Sequence, residues 1–125
     1  MWSHGTFYWN ELNTRNAEAA KTFYEKTLGW TFDSMPMPNG IYWIAKMGDA
    51  VVGGIFTMSG SAFDGIPEHW FSYIAVDDID ARVAKLKSAG GKVVREPFDV
   101  DGVGRIAIVQ DSNGAHMGWM TPAPQ

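Results

Sequence analysis

Few side chains in this sequence are equipped for chemistry, and the first is a carboxylate in an apolar setting. Glu11 follows Phe7 and Trp9 at alternate positions, so in a strand the three share a face. A carboxylate among aromatic rings needs a partner or water, and a desolvated one titrates in a range suited to proton transfer, which makes Glu11 the candidate catalytic residue. His69 and His116 each either contact a ligand or serve as hydrogen-bonded strand residues, whereas His4 belongs to the terminus. Arg105 suits an anionic substrate group, or else pairs with Asp111 or Asp99. Trp9, Trp43, Phe71 and Tyr73 either line an apolar concavity with a few polar groups or fill the space between sheets. Together with His69, Arg105 and His116 they form the candidate substrate-binding set.

Several chemistries are excluded. The 125 residues contain no cysteine, which removes disulfides, thiolate catalysis and Cys-based metal sites, so any metal must be held by His, Asp or Glu. Gly102-Val103-Gly104 lacks the third glycine and following helix of a phosphate loop. Asp77-Asp78-Ile79-Asp80 lacks the glycine and distal glutamate of a calcium loop and reads as helix capping. No Ser-His-Asp spacing is present.

The elements that must position these residues occur twice in the same order. Strand patterns cover 6–12, 30–35, 41–47 and 50–58, with a helix over 17–28 whose stripe is Ala20, Phe23, Tyr24, Thr27 and Leu28. Pro36-Met37-Pro38 and an Asn39-Gly40 turn close the second strand, and Gly53-Gly54 predicts a bulge or a close approach to the backbone. After a Gly/Ser-rich linker over 59–66, strands follow at 69–76, 92–98, 105–110 and 115–121. A helix there starts at Asp77-Asp78, carries Ile79, Val83 and Leu86 inward, and ends at Gly90-Gly91. Asn113-Gly114 joins the last two strands, since both residues tolerate the positive φ of hairpin turns. The reading is one α+β domain of two fused βαβββ modules, 4–58 and 67–121, their sheets curling round a shared cleft.

Composition narrows the partners. There are 10 Lys+Arg against 14 Asp+Glu, a net charge of -4, which leaves no basic surplus for nucleic acid. Lys85, Lys87, Arg82 and Lys92 decorate the second helix as a solvated face. No apolar run approaches the roughly 20 residues needed to span a bilayer, and no signal-peptide pattern leads the chain, so a soluble cytoplasmic protein is expected.

Phe23-Tyr24-Glu25-Lys26-Thr27-Leu28-Gly29-Trp30, Ala75-Val76-Asp77-Asp78, Gly104-Arg105-Ile106-Ala107 and Asp111-Ser112-Asn113-Gly114, in this order and spacing, resemble the vicinal oxygen chelate superfamily. That superfamily holds glyoxalase I, bleomycin-resistance proteins, extradiol dioxygenases and epimerases. Gly53-Gly54 and Trp119 are similar to its branch related to lactoylglutathione lyase, and Ser112 departs from the proline common after the aspartate. The resemblance implies paired βαβββ modules, a small-molecule ligand and a homodimer.

It also implies a metal held by His or Glu on the first and last strand of each module. Those positions fall here on Trp9, on the stretch 52–54, on Phe71 and on Gly118, none of which supplies a ligand. No cofactor is expected, and a divalent metal only through a non-standard set, since Glu11, His69 and His116 each lie two residues from such a position on the same strand face. The expected function is a small-molecule binder or metal-independent enzyme of the glyoxalase-like class. The alternatives are a metal-dependent lyase, isomerase or dioxygenase with shifted ligands, and a sequestering module of the resistance type.

Overall fold

The computed structural model describes residues 2–38 and 40–124. Asn39, half of the expected Asn39-Gly40 turn, lies outside the described residues. The element order is β1 (Phe7–Thr14), α1 (Ala17–Leu28), β2 (Thr31–Met37), β3 (Gly40–Met47), β4 (Ala50–Thr57), β5 (His69–Ala75), α2 (Ile79–Ser88), β6 (Lys92–Val100), β7 (Gly104–Gln110) and β8 (His116–Pro122). This is the twice-repeated βαβββ order of an α+β fold, with a short 3-10 helix at Ser61–Phe63 in the stretch preceding β5. The chain folds as two compact units: residues 9–71, and the residues up to Tyr8 together with those from Ser72 onward.

In the unit formed by residues 9–71 the strand order is β2-β3-β4-β1, antiparallel except for the parallel β1–β4 pair. Its buried apolar centre is Leu12, Ala45 and Ile55. The side-chain oxygen of Asn16 caps α1 by accepting from the Ala19 N–H at 3.0 Å, and Gly29 ends the helix at φ 78, a conformation that favours glycine. The expected stripe of α1 is met only in part: Ala20 and Tyr24 are half-buried, and Thr27 is exposed. Phe23 is 57% and Leu28 50% exposed, and no residue of this helix is buried. Tyr24 turns inward, stacking on Trp30 at 5.0 Å and meeting the edge of Trp70 at 5.7 Å. One turn earlier, the Lys21 ammonium lies 3.1 Å over the Trp43 ring, so a charged residue also packs on the sheet.

β2 runs through Pro36 to Met37, past the expected end. It is the outer strand of this unit's order, where a residue without an N–H costs no ladder bond on the open side.

In the other unit the order is β5-β8-β7-β6, again with one parallel pair, β5–β8. The side chain of Asp78 caps α2 by accepting from the Ala81 N–H at 3.2 Å. Ile79, Val83 and Leu86 are buried against Ala107 and Val109, as their spacing predicts. Each such side chain contributes roughly 1.5–3 kcal/mol. β6 carries Pro97 where its pairing with β7 shifts register between Arg95 and Phe98. The β7–β8 turn uses positive φ at Gly114 alone, not at Asn113. The Asp111 carboxylate stabilises it by accepting from the N–H groups of Asn113 at 2.9 Å and Ala115 at 3.0 Å. Those backbone donors, Ala115 first, hold the Asp111 carboxyl below its ordinary range. No helix among the described residues is long and apolar enough to cross a membrane.

Candidate functional site

Glu11 is not isolated. Its Oε2 accepts from the Tyr42 hydroxyl at 2.8 Å, and that hydroxyl accepts from the Trp9 indole N–H at 2.7 Å. The indole donates to the hydroxyl and the hydroxyl to the carboxylate, and all three side chains are half-buried. Strand register explains how they meet. Glu11 pairs with Gly54 across β1–β4, Gly54 with Ile44 across β4–β3, and Tyr42 with Met35 across β3–β2. Side chains two apart on a strand share a face, so Trp9, Glu11, Tyr42, Ile44 and Met35 stand on one face of this unit's sheet, the one turned away from α1.

Gly54 makes the arrangement possible. A Cβ there would fall on the Tyr42 hydroxyl and within 2.5 Å of its ring at Cε2, so the phenol occupies the space of a missing side chain. Neighbouring Gly53 is needed for another reason: its Cβ would stand 2.6 Å from the Asn10 carbonyl oxygen. The sequence expectation of a close approach at Gly53-Gly54 is met by both residues, on opposite faces of β4.

The same device recurs in the other unit. Tyr73 pairs with Gly118, and a Cβ on Gly118 would overlap the Tyr73 ring, lying 3.0 Å even from its Cγ.

The remaining candidates have their own local partners. Trp43 is on the α1 side of its strand beneath Lys21, so it does not join Trp9 and Glu11; Tyr42, its neighbour, does. Both positions of Tyr42-Trp43 are aromatic, so composition alone could not assign the face. Arg105 also lies on a helix side: its guanidinium grips Asp80 of α2 at 2.9 and 3.1 Å and approaches Asp99 at 3.3 Å. The Asp80 hydrogen bond raises its pKa further, and these partners commit it to an ion-pair network on α2. Asp99 is one of its expected partners; Asp111, the other, is engaged by its own turn instead. His69 meets the Phe71 ring edge-on at 6.0 Å, and its Nδ1 bonds the Pro67 carbonyl at 2.8 Å. His116 is exposed and pairs with the Gln110 amide at 3.0 Å. His4, expected to be idle, has an Nδ1 that accepts from the Asp77 N–H at 3.0 Å.

A groove of about 290 Å³ beside α1 includes Leu12, Thr14, Ala20, Tyr24 and Glu68. The Glu68 carboxylate is engaged by the Thr14 hydroxyl and by the Arg15 N–H at 2.9 Å, so it serves as a structural clasp. The Thr14 bond, followed by that from Arg15, holds the Glu68 pKa down. The Trp9–Tyr42–Glu11 face is the better candidate, because its polar groups lie on an aromatic surface and converge.

The family model described as Glyoxalase/Bleomycin resistance protein/Dioxygenase superfamily matches residues 6–117. The chain belongs to this superfamily. Among curated relatives of this superfamily chain, the Mycobacterium bovis protein named "Putative glyoxylase CFP32" is 45% identical over 97% of this chain and 46% of its own length. The anthracycline biosynthesis protein DnrV of Streptomyces peucetius is 30% identical over 86% of this chain and 43% of its own. The chain thus spans about half the length of the curated relatives it matches. A methylmalonyl-CoA epimerase from Mycobacterium tuberculosis has the same fold, with a TM-score of 0.67 at 17% identity over 99% of this chain and 94% of the other. A Bacillus halodurans protein, BH1468, has a TM-score of 0.72 at 14% identity over 98% of both chains.

The positions at which the resemblance implies metal ligands are Trp9, the stretch 52–54, Phe71 and Gly118. Trp9 and Phe71 offer no ligand atom suited to a divalent ion, and the space before Gly54 and Gly118 is filled by tyrosine rings. Among the described residues, no three His, Asp or Glu are grouped so that they could hold a metal ion.

Proposed function

We propose that this chain is a glyoxalase-like small-molecule module that works without a bound metal, using Glu11 as its anchoring or proton-accepting carboxylate. The observation that carries this reading is Tyr42 lying over Gly54: a phenol hydrogen-bonded to Glu11 occupies the space of a side chain within the stretch 52–54, where the resemblance implies a ligand. A carboxylate already oriented by a hydroxyl donor can grip a ligand or take its proton without a Lewis acid. Trp9, Met35 and Ile44 supply the apolar surface around it. The glyoxylase and anthracycline-biosynthesis names of the half-length relatives support a small organic ligand.

The test is ligand binding before and after chelation. A panel of small aromatic alcohols and α-keto aldehydes is titrated into protein treated with EDTA and dialysed, and into protein loaded with zinc, nickel or manganese. Equal affinities in the two preparations are expected. Affinity that appears only on metal loading overturns the reading in favour of a metal-dependent enzyme with shifted ligands. Product formation by bound ligand separates an enzyme from a sequestering module.

A further inference from the structure

We infer a second binding site, in the unit that carries α2: Arg95 and Lys92, on the sheet face opposite α2, form an anion corner suited to a phosphate monoester with an apolar body. It does not depend on Glu11, which belongs to the other unit. Strand register assigns the face. On β7, Arg105 grips Asp80 of α2, and Ala107 and Val109 pack in the core beneath α2, so Ile106, Ile108 and Gln110 point the other way. Directly paired residues of antiparallel strands share a face. Lys92 pairs with Gln110, Arg95 with Ile108 and Phe98 with Ile106, which sets all three β6 side chains away from α2. Plain alternation from Val93, which packs toward α2, would send Arg95 to the helix side. The register shift between Val93 and Arg95 turns it over, and the shift before Phe98 keeps that ring beside it. Lys92, expected among the solvated residues of the second helix, stands on this face of β6 instead.

The Arg95 guanidinium carbon lies 3.7 Å over the Phe98 ring. The ring holds the group in place but offers it no oxygen acceptor, and a guanidinium keeps its charge and its five N–H donors in any protein setting. Among the described residues, neither Arg95 nor Lys92 makes an ion pair. The acids of their unit are engaged otherwise. Asp80 and Asp99 face Arg105, Asp77 holds Arg82, and Glu96 reaches Lys87 at 3.4 Å. Asp78 caps α2, Asp111 accepts from its own turn, and Asp101 lies exposed in the turn between β6 and β7.

Both cations are exposed, so an anion can reach them without displacing a carboxylate. The pairing rows of Lys92 and Arg95 are two β7 residues apart, roughly 7 Å, a separation that favours a dianion over a monoanion. The Gln110 amide, opposite Lys92, meets the His116 ring at 3.0 Å and adds a neutral polar group. Half-buried Ile108 and Phe98 supply apolar surface for the rest of the ligand.

The experiment titrates 2-naphthyl phosphate, 2-naphthoate and 2-naphthol into the full chain by calorimetry, with NMR shifts of the Arg95 Nε–H and the Gln110 side-chain amide reporting the location. Affinity should fall in the order phosphate, naphthoate, naphthol, and added salt should weaken the phosphate most. R95Q should lower phosphate affinity about tenfold or more, the scale of one charge-assisted hydrogen bond, and K92Q several-fold. R105Q, which removes a cation from the α2 side, should leave it unchanged. Melting curves confirm that the three variants fold. No binding of the phosphate, naphthoate binding as tightly, unchanged affinity in R95Q, or an equal loss in R105Q overturns the inference.

Discussion

Replacing Gly54 by Ala should damage the protein first through Tyr42. The three atoms nearest to a Cβ at Gly54 all belong to Tyr42, all within 2.5 Å, so the substitution must displace the phenol. Displacement breaks the Trp9–Tyr42 bond and the Tyr42–Glu11 bond. A neutral hydrogen bond contributes about 1 kcal/mol net and one to a charged group about 1.5–3 kcal/mol. Both are half-buried, which puts the expected loss near 2–3 kcal/mol, or about 8–12 °C in Tm for a chain of this size. In a Y42A background the obstacle is gone. Gly54 has no positive φ, so alanine fits the strand there and should stabilise by roughly 0.5–1 kcal/mol. Urea denaturation followed by tryptophan fluorescence, applied to wild type, G54A, Y42A and the double variant, measures this coupling directly. Equal cost of G54A in both backgrounds would refute the argument that Gly54 exists to seat Tyr42.

Arg82, by its hydrogen bond, holds the Asp77 carboxyl down at about 2 from an ordinary 3.8. Stability from this group is therefore fully present above about 4 and lost as pH falls toward 2; D77N should flatten the acid limb of a Tm-against-pH curve in that window, and an unchanged limb would contradict it. R105A should lower Tm slightly, because its guanidinium grips Asp80 and approaches Asp99; an unchanged melting curve would show that this network contributes nothing to stability. K21M, which keeps the stem and removes the charge over Trp43, should cost about 0.5–2 kcal/mol in urea titrations, and no loss would show that the stem alone does the packing.

The repeated order of elements is legible in the sequence because its punctuation is local. Asn16 and Asp78 are caps, Gly29 and Gly114 need positive φ, and Ile79, Val83 and Leu86 keep strict helical spacing. The α1 stripe is less legible, since Lys21 serves as an inward residue by lying over an indole, which no apolar pattern records. Of the site, alternation correctly sets Trp9 and Glu11 on one face, but β3 presents Tyr42-Trp43, and its parity depends on pairing with β4 around Gly54. The signal that points to Tyr42 is Gly53-Gly54 itself: a missing side chain in mid-strand asks what fills its place. The Asp80 partner of Arg105 is hidden for a similar reason. The strand of Arg105 has a helix side, and the acidic residue on that helix is 25 positions away in sequence.

The proposed function requires that the chain works without a bound metal. Protein purified without metal-affinity steps, incubated with zinc, nickel, cobalt and manganese, passed through gel filtration and analysed by inductively coupled plasma mass spectrometry tests it most directly. The prediction is retention far below one ion per chain for every metal, unchanged in E11Q. One tightly retained ion per chain, lost in E11Q, would contradict it.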